Sequence, residues 1–349
     1  MRRLQAQGEE SMSKLKMIQV GTGGWGKSWL PFLLDSPDWE LAALVSRGGA
    51  NLEQARAKTC VAESACYSSL EQALETDADA VLVTTPHSLH VDMCRQALEA
   101  GKHVLCEKPF SDRFETAKEL VAFSDTTDWV LAISQNFRYR LGLHQLKALV
   151  DTGAGCIDSM QVDIREPQGP WITQGWRGKQ TVSPLLSEVL IHQVDMARFL
   201  CGADPVSVYC RSWNPSWSIT QGDASADVLV TFSNGSRLTY GGTWATRGGA
   251  TPWDGDWRIR YENAVATWAG EDVTVLPGDA ATGLEVPGVP SFVGHDRTGV
   301  LMDFARAVRG EAPFPTDGQD NLPSLAIIFA AMLSAADERI VTIDEIMET

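Results

Sequence analysis

Five short apolar runs between Lys14 and about Asn136 limit the folds open to this chain: Met17–Val20, Leu41–Val45, Ala80–Thr84, Val104–Cys106 and Val130–Ile133. They are apolar at nearly every position rather than at alternate ones, so both faces must be buried. The stretches between them carry helical patterns: Trp25–Leu34, Asn51–Lys58, Glu71–Glu75, Leu89–Ala100 and Ser111–Ser124. Apolar strands alternating with helices predict a parallel sheet with helices on both sides. Gly101 is placed to close the fourth helix, and Ser111 to cap the start of the fifth.

After about Arg140 the pattern changes. Strands are expected at Ser159–Arg165, Val206–Arg211, Ala226–Phe232, Arg237–Thr243, Trp257–Tyr261 and Ala264–Trp268, with a hairpin signal at Asn234-Gly235. One helix, about Pro184 to Leu200, precedes most of them, and helices at Arg297–Arg309 and Leu322–Asp337 close the chain. Strands that follow one another in this way predict a large, mainly antiparallel sheet in an α+β domain. A chain of 349 residues can hold both domains.

Charge and cysteine usage exclude some partners. A formal net charge of −16 argues against nucleic acid or an anionic membrane, because phosphate binding needs a basic face. The apolar run Leu325–Ala336 is too short to span a bilayer and reads as a buried helix. The seven cysteines are odd in number and lack any Cys-x-x-Cys. No disulfide framework or metal site is expected, and a reducing cytoplasm fits. Met1–Lys16 is polar with no apolar core, so it is not read as a signal peptide, and Met1–Ser13 is expected to be poorly ordered.

Gly21-Thr22-Gly23-Gly24-Trp25-Gly26 follows the first strand and opens a helix, the context a dinucleotide-binding loop requires. Gly21 permits the turn, Gly23 lets backbone approach a pyrophosphate, and Gly26 permits close helix–strand packing. The helix N-terminus offers N–H groups to the phosphates. An acid at the end of the second strand would hold the ribose of NAD, but Val45-Ser46-Arg47-Gly48 has none. Ser46 and Arg47 suit a 2′-phosphate, so NADP(H) is expected over NAD(H), with NAD(H) still open.

His103-Val-Leu-Cys-Glu107-Lys108-Pro109 ends an apolar strand on a charged pair. Ligands of open α/β sheets bind outside the carboxyl ends of strands, which puts Lys108 at the rim of a site. A surface lysine is the ordinary alternative, and the following proline argues against it. Further on, Glu188, His192 and Asp195 stand at i, i+4 and i+7, on one face of a helix. By patterning alone this is a solvated stripe. A histidine there is also able to take a proton near neutral pH.

The sequence resembles the Gfo/Idh/MocA oxidoreductases, the glucose–fructose oxidoreductase and inositol dehydrogenase family. The resemblance is carried by the glycine loop, Thr84-Thr85-Pro86-His87-Ser88-Leu89-His90, Ala97 through Pro109, Asn136-Phe137-Arg138 and Glu188-x-x-x-His192-x-x-Asp195. It implies a Rossmann domain at residues 14–136 and a substrate-binding and oligomerisation domain at 137–349, whose last helix packs back on the first. It also implies a nicotinamide cofactor, a sugar or polyol substrate, a cis Lys108–Pro109 bond, and a homodimer or homotetramer joined through the open face of the second sheet.

On this resemblance His192 is the acid/base, Lys108 the electrophile and Glu188 the orienting acid. Thr84, Thr85, Pro86, His90, Glu107, Lys108 and Asn136 join the loop, Ser46 and Arg47 around the cofactor. Lys108, His192 and Asp195 face the substrate, with Asp195 also suited to anchoring its helix, and Arg138 is read as a substrate or cofactor contact or as a salt-bridge residue. Trp171, Trp176 and Arg177 stand in a Gly/Pro-rich loop that suits a substrate lid, where rings pack on sugar C–H faces, or equally an oligomer interface. Two departures stand out. Thr181-Val182-Ser183-Pro184 replaces the usual glycine-rich approach, and Glu188 and Leu190 stand where Asp and Gly are usual. The function implied is hydride transfer between a nicotinamide and a secondary alcohol or carbonyl of a sugar, polyol or derivative. The alternatives are an NAD-dependent glycoside hydrolase of the same family and a non-catalytic nucleotide-binding regulator.

Overall fold

The structure, a computed structural model, describes residues 13–169, 172, 183–290, 292 and 294–349. The segment Met1–Ser13, apart from Ser13, lies outside them. Six strands form the first sheet: β1 Leu15–Val20, β2 Trp39–Val45, β3 Cys66–Tyr67, β4 Ala80–Val83, β5 His103–Glu107 and β6 Leu131–Ser134. Their order is β3-β2-β1-β4-β5-β6, and every pairing is parallel. Val20 lies opposite both Val45 and Val83, Val83 opposite Cys106, and Cys106 opposite Ile133. All the carboxyl ends therefore finish along one edge. The order reverses between β1 and β4, where a doubly wound sheet opens a ligand crevice.

The helices of this half are α1 Gly24–Asp35, α2 Ala50–Thr59, α3 Leu70–Leu74, α4 His90–Glu99 and α5 Phe114–Ser124. Gly101 takes φ +76° just past α4, as a left-handed stop requires. The expected cap at Ser111 is corrected. Its hydroxyl donates to Arg113 O at 2.7 Å and accepts from Arg113 N at 3.1 Å. These bonds close a turn, and α5 starts only at Phe114.

Eight strands build the second sheet: β7 Ile157–Arg165, β8 Pro205–Trp213, β9 Ser225–Phe232, β10 Arg237–Thr243, β11 Asp256–Tyr261, β12 Ala264–Ala269, β13 Asp272–Pro277 and β14 Val341–Thr342. The order is β13-β12-β11-β7-β10-β9-β8-β14. The sheet is mixed: β10 runs parallel to β7, and the other pairings are antiparallel. The long excursion between β7 and β10 makes that parallel pair possible, since adjacent parallel strands need a crossover. Inward positions such as Met160, Val162, Ile164, Leu238 and Tyr240 are buried, while Gln161 and Thr239 face outward.

Helices α6 Leu141–Leu149, α7 Ile191–Cys201, α8 Asp296–Val308 and α9 Gly318–Asp337 follow, with a short α10 at Ile343–Met347. α6 was not read from the sequence. α8 returns to the first domain, where Phe304 stacks on Trp39 with centroids 5.1 Å apart. α9 does so too: Phe329 meets Phe114 at 5.8 Å, and just before the helix Thr316 O accepts from Ile133 N at 2.9 Å. All seven cysteines are free thiols. Among the described residues, no helix is long and apolar enough to cross a membrane.

Candidate active site

The glycine loop is held from beneath and open above. Gly21 adopts φ +98°, which only glycine takes readily. A Cβ on Gly26 would lie 2.2 Å from Gly21 O and 2.7 Å from Thr84 Oγ1, so no other residue fits. A Cβ on Gly23 or Gly24 would meet nothing within 4 Å. Two buried side chains hold the underside. Gln19 Nε2 donates to Gly21 O at 3.1 Å and Gly26 O at 2.8 Å. Thr84 Oγ1 donates to Val20 O at 2.9 Å and Gly21 O at 3.0 Å. α1 begins without a side-chain cap or an acid in its first turn. Its N–H groups suit a pyrophosphate, so the loop fits a dinucleotide.

At the end of β2, Thr22 Oγ1 donates to Ser46 Oγ at 2.8 Å, linking this corner to the loop. Arg47 is exposed, and Gly48 and Gly49 follow with φ +93° and +79° into the uncapped start of α2. Lys27, one residue beyond the loop, donates to Asn51 and Gln54 of α2. That adds a second cation to the same corner.

At the end of β5, Glu107 is buried and Lys108 is joined to Pro109 by a cis bond. The Glu107 carboxylate accepts Trp29 Nε1–H at 2.7 Å. Burial raises its pKa, opposed by Lys108, the Trp25 and Trp29 indoles and Arg297. Arg297, from α8, lies over the rings of Phe32, Trp25 and Trp29 at 4.2, 5.1 and 5.5 Å. It ties the last third of the chain to the cofactor loop.

Lys108 reaches across to the second domain, where its Nζ donates to Glu188 O at 2.8 Å. Glu188 lies in a π-helical turn, Leu186–Leu190, that runs into α7. This corrects the expectation of one regular helix from about Pro184 to Leu200. Glu188 Oε1 lies 3.1 Å from His87 Nε2, at ion-pair distance but without the alignment of a hydrogen bond.

His192 is buried, and its ring stacks on Phe137 with centroids 4.0 Å apart and planes 16° from parallel. Its Nδ1 is buried and has no hydrogen-bond partner among the described residues. Arg140 lies over the same Phe137 ring at 5.0 Å. Burial holds the His192 pKa well below the usual histidine value, and the Lys108 and Arg140 cations push the same way. An uncharged imidazole is the state a general base needs.

The other sequence candidates have separate places. Arg138 and Asp195 bind each other: Nε to Oδ2 at 2.7 Å and Nη2 to Oδ1 at 2.8 Å. Arg138 also reaches Asp320 at 2.7 Å, and Ser324 Oγ donates to Asp195 at 3.1 Å. This pair locks α7 to α9. Both ring nitrogens of His90 face backbone carbonyls, Pro109 O at 3.0 Å and Thr85 O at 2.8 Å. His90 thus braces two strand ends. Burial lowers its pKa against those carbonyls. Thr85 is half-buried and Pro86 exposed at the end of β4. Asn136 Nδ2 donates to Asp296 Oδ1 at 2.6 Å. Trp171, Trp176, Arg177 and Thr181-Val182 lie outside the described residues.

Gln19, Lys27, Arg140 and Arg297 were not identified from the sequence, and His87 and Phe137 only as letters within motifs. His87 was open to the same reading as His90, since both sit at the carboxyl end of an apolar strand.

A 3-2-1-4-5-6 parallel sheet with a glycine loop at its switch point, a lysine at a strand end and a buried histidine facing it define a two-domain dinucleotide-binding protein of the Rossmann class. The chain belongs to the Gfo/Idh/MocA family. Residues 15–134 match the model described as "Oxidoreductase family, NAD-binding Rossmann fold", and residues 143–266 match the GFO/IDH/MocA C-terminal domain. It is an NAD(P)-binding oxidoreductase of that family. It is similar to the inositol 2-dehydrogenase of Rhizobium meliloti, 26% identical over 93% of this chain and 98% of that protein. Among solved structures, an oxidoreductase from Agrobacterium radiobacter in complex with NAD+, L-tartaric acid and magnesium has a TM-score of 0.83 at 20% identity, covering 95% of this chain and 99% of that one. The WlbA dehydrogenase from Chromobacterium violaceum, in complex with NADH and UDP-GlcNAcA, has a TM-score of 0.81 at 25% identity, covering 94% and 96%.

Proposed function

We propose that this chain oxidises or reduces a secondary alcohol or carbonyl of a sugar, polyol or close derivative, with NADP(H) preferred over NAD(H). The observation that carries the reading is that Lys108, at a strand end of the sheet that carries the glycine loop, acts electrostatically on the buried His192 of the second domain. One is tied to the second domain by its own ammonium, and the other holds a buried ring nitrogen without a hydrogen-bond partner among the described residues. The likeness to an inositol 2-dehydrogenase supports the substrate class.

A bound nicotinamide supplies the carbon that exchanges hydride with the substrate. In the oxidising direction His192 takes the hydroxyl proton at a ring nitrogen. Lys108 donates an N–H to the oxygen as it gains negative charge. An ammonium has three donors, so its bond to Glu188 O does not exhaust it. Gly21–Gly26 and the α1 N-terminus hold the diphosphate, and Glu107 fixes Trp29 beneath the loop. Ser46, Arg47 and Lys27 gather hydroxyl and positive charge where a 2′-phosphate would sit.

The test is a pair of dissociation constants for NADPH and NADH, followed by absorbance at 340 nm over a panel of polyols and sugar acids. Tighter binding of NADH would reject the cofactor preference. Arg47→Ala should weaken NADPH about tenfold and leave NADH within about twofold. Cofactor binding with no turnover across the panel would reject the enzymatic reading. The same reading proposes a homodimer or homotetramer joined through the outward face of the second sheet, and a monomer in sedimentation analysis would reject that.

A further inference from the structure

Phosphate binding at the glycine loop uses backbone N–H groups and asks nothing of the side chain at position 25. A tryptophan stands there, in the first turn of α1, and it is 42% exposed. Its ring is nevertheless held. The Arg297 guanidinium lies 5.1 Å from the ring centroid. Arg297 is itself fixed, donating to Ser28 Oγ at 2.7 Å and lying 4.2 Å from the centroid of Phe32. The Trp25 indole also hydrogen-bonds toward the Glu107 carboxylate, opposing the rise in its pKa. An exposed ring that is fixed in place is a preformed platform, because little freedom remains to be lost on binding.

The position of the ring selects the part of a dinucleotide it serves. Thr22 faces the end of β2 through Ser46, and Trp25 faces the end of β5, where Glu107 is the last residue and Lys108 follows. β2 and β5 lie on opposite sides of β1 in the sheet. The adenosine ribose belongs at the end of β2, so the reacting ring belongs toward β5. We propose that Trp25 is the platform for the nicotinamide ring, which lies against the exposed part of the indole, while Arg297 pins that indole from α8. The nicotinamide of the oxidised cofactor is a cation, and the face of an indole attracts cations. The proposal rests on dinucleotide binding at the loop and is independent of the substrate.

The test compares NADP+ with 2′-phospho-ADP-ribose, the same molecule without its nicotinamide, by calorimetric titration of the full-length protein. Trp25→Leu keeps an apolar side chain at an exposed position and removes the aromatic face. It should weaken NADP+ about five- to tenfold and leave 2′-phospho-ADP-ribose within about twofold of wild type. Trp25→Phe, which restores a ring, should bind NADP+ within about threefold of wild type. Equal weakening of both ligands in Trp25→Leu would overturn the proposal and make the ring a support of the loop. A change below about twofold for both would overturn it as well and assign the ring to another surface. A wild type that prefers NAD+ calls for NAD+ and ADP-ribose in the same comparison, so failure of the NADP(H) preference appears separately, in the wild-type constants.

Discussion

Replacing Arg138 by methionine should destabilise the fold rather than only weaken substrate binding. The Arg138 and Asp195 side chains are 9% and 1% exposed and exchange two bonds of 2.7 and 2.8 Å. Burial alone would lower the Arg138 pKa, but Asp195 and Asp320 outweigh it and hold the guanidinium charged. Arg138→Met leaves the Asp195 carboxylate buried with the Ser324 hydroxyl as its remaining side-chain donor among the described residues. Removing one partner of a buried pair costs about 3–5 kcal/mol. For 349 residues the unfolding entropy is about 0.7 kcal/mol/K, so Tm should fall by about 4–7 °C. Asp195→Leu should cost a similar amount. The double variant Arg138→Met/Asp195→Leu should recover most of the loss, because Asp320 is 34% exposed and keeps Arg198 at 3.7 Å. Calorimetry on the four proteins at pH 7 gives the coupling energy. A Tm change below about 1 °C in Arg138→Met, or a coupling below about 0.5 kcal/mol, would refute the anchoring role. A raised KM with unchanged Tm would assign both residues to substrate instead.

Further outcomes follow from the loop and from His192. Gly26→Ala should cost about 1–3 kcal/mol through the clash with Gly21 O and weaken cofactor binding, as denaturant titration and fluorescence quenching would show. Gly23→Ala should leave the stability of the free protein within about 0.5 kcal/mol but weaken NADPH about tenfold or more, since its Cβ projects into open space above the loop. His192 is buried uncharged, so below pH 6.5 the unfolded chain binds a proton that the folded one refuses. Stability present above that pH is therefore lost as pH falls through this window. Between pH 7 and 5.5 the wild type should lose about 1 kcal/mol more than His192→Gln by urea unfolding, and parallel curves would contradict the burial of an uncharged ring.

What could be read from the residues depended on how local the cause was. β4 and β5 announce themselves because every position is apolar, and Gly21–Gly26 because its spacing is fixed by one turn. Lys108 could be placed because the strand end, the following proline and the sheet rule all act within a few residues. Gln19 escaped because it is a polar residue in an apolar run. Its reason is two carbonyls of the loop it supports, which only the folded turn brings near. The π turn before His192 escaped for a different reason: Leu185 through Ile191 satisfies a regular helical pattern equally well. The partner of Glu188 was sought on that regular helix, while Asp195 was read as a helix anchor or a substrate contact. His87 and Arg138 stand 101 and 57 residues earlier, and His87 meets Glu188 only across the domain junction.

The central claim is that Lys108 and His192 perform the chemistry while the glycine loop holds the cofactor. It is tested most directly by kcat for Lys108→Met and His192→Gln, on a substrate found at 340 nm, alongside NADPH dissociation constants for the same proteins. Both variants should lose about 100-fold or more in kcat, while the dissociation constants stay within about threefold of wild type. Turnover within about twofold of wild type in either variant would remove that residue from the mechanism.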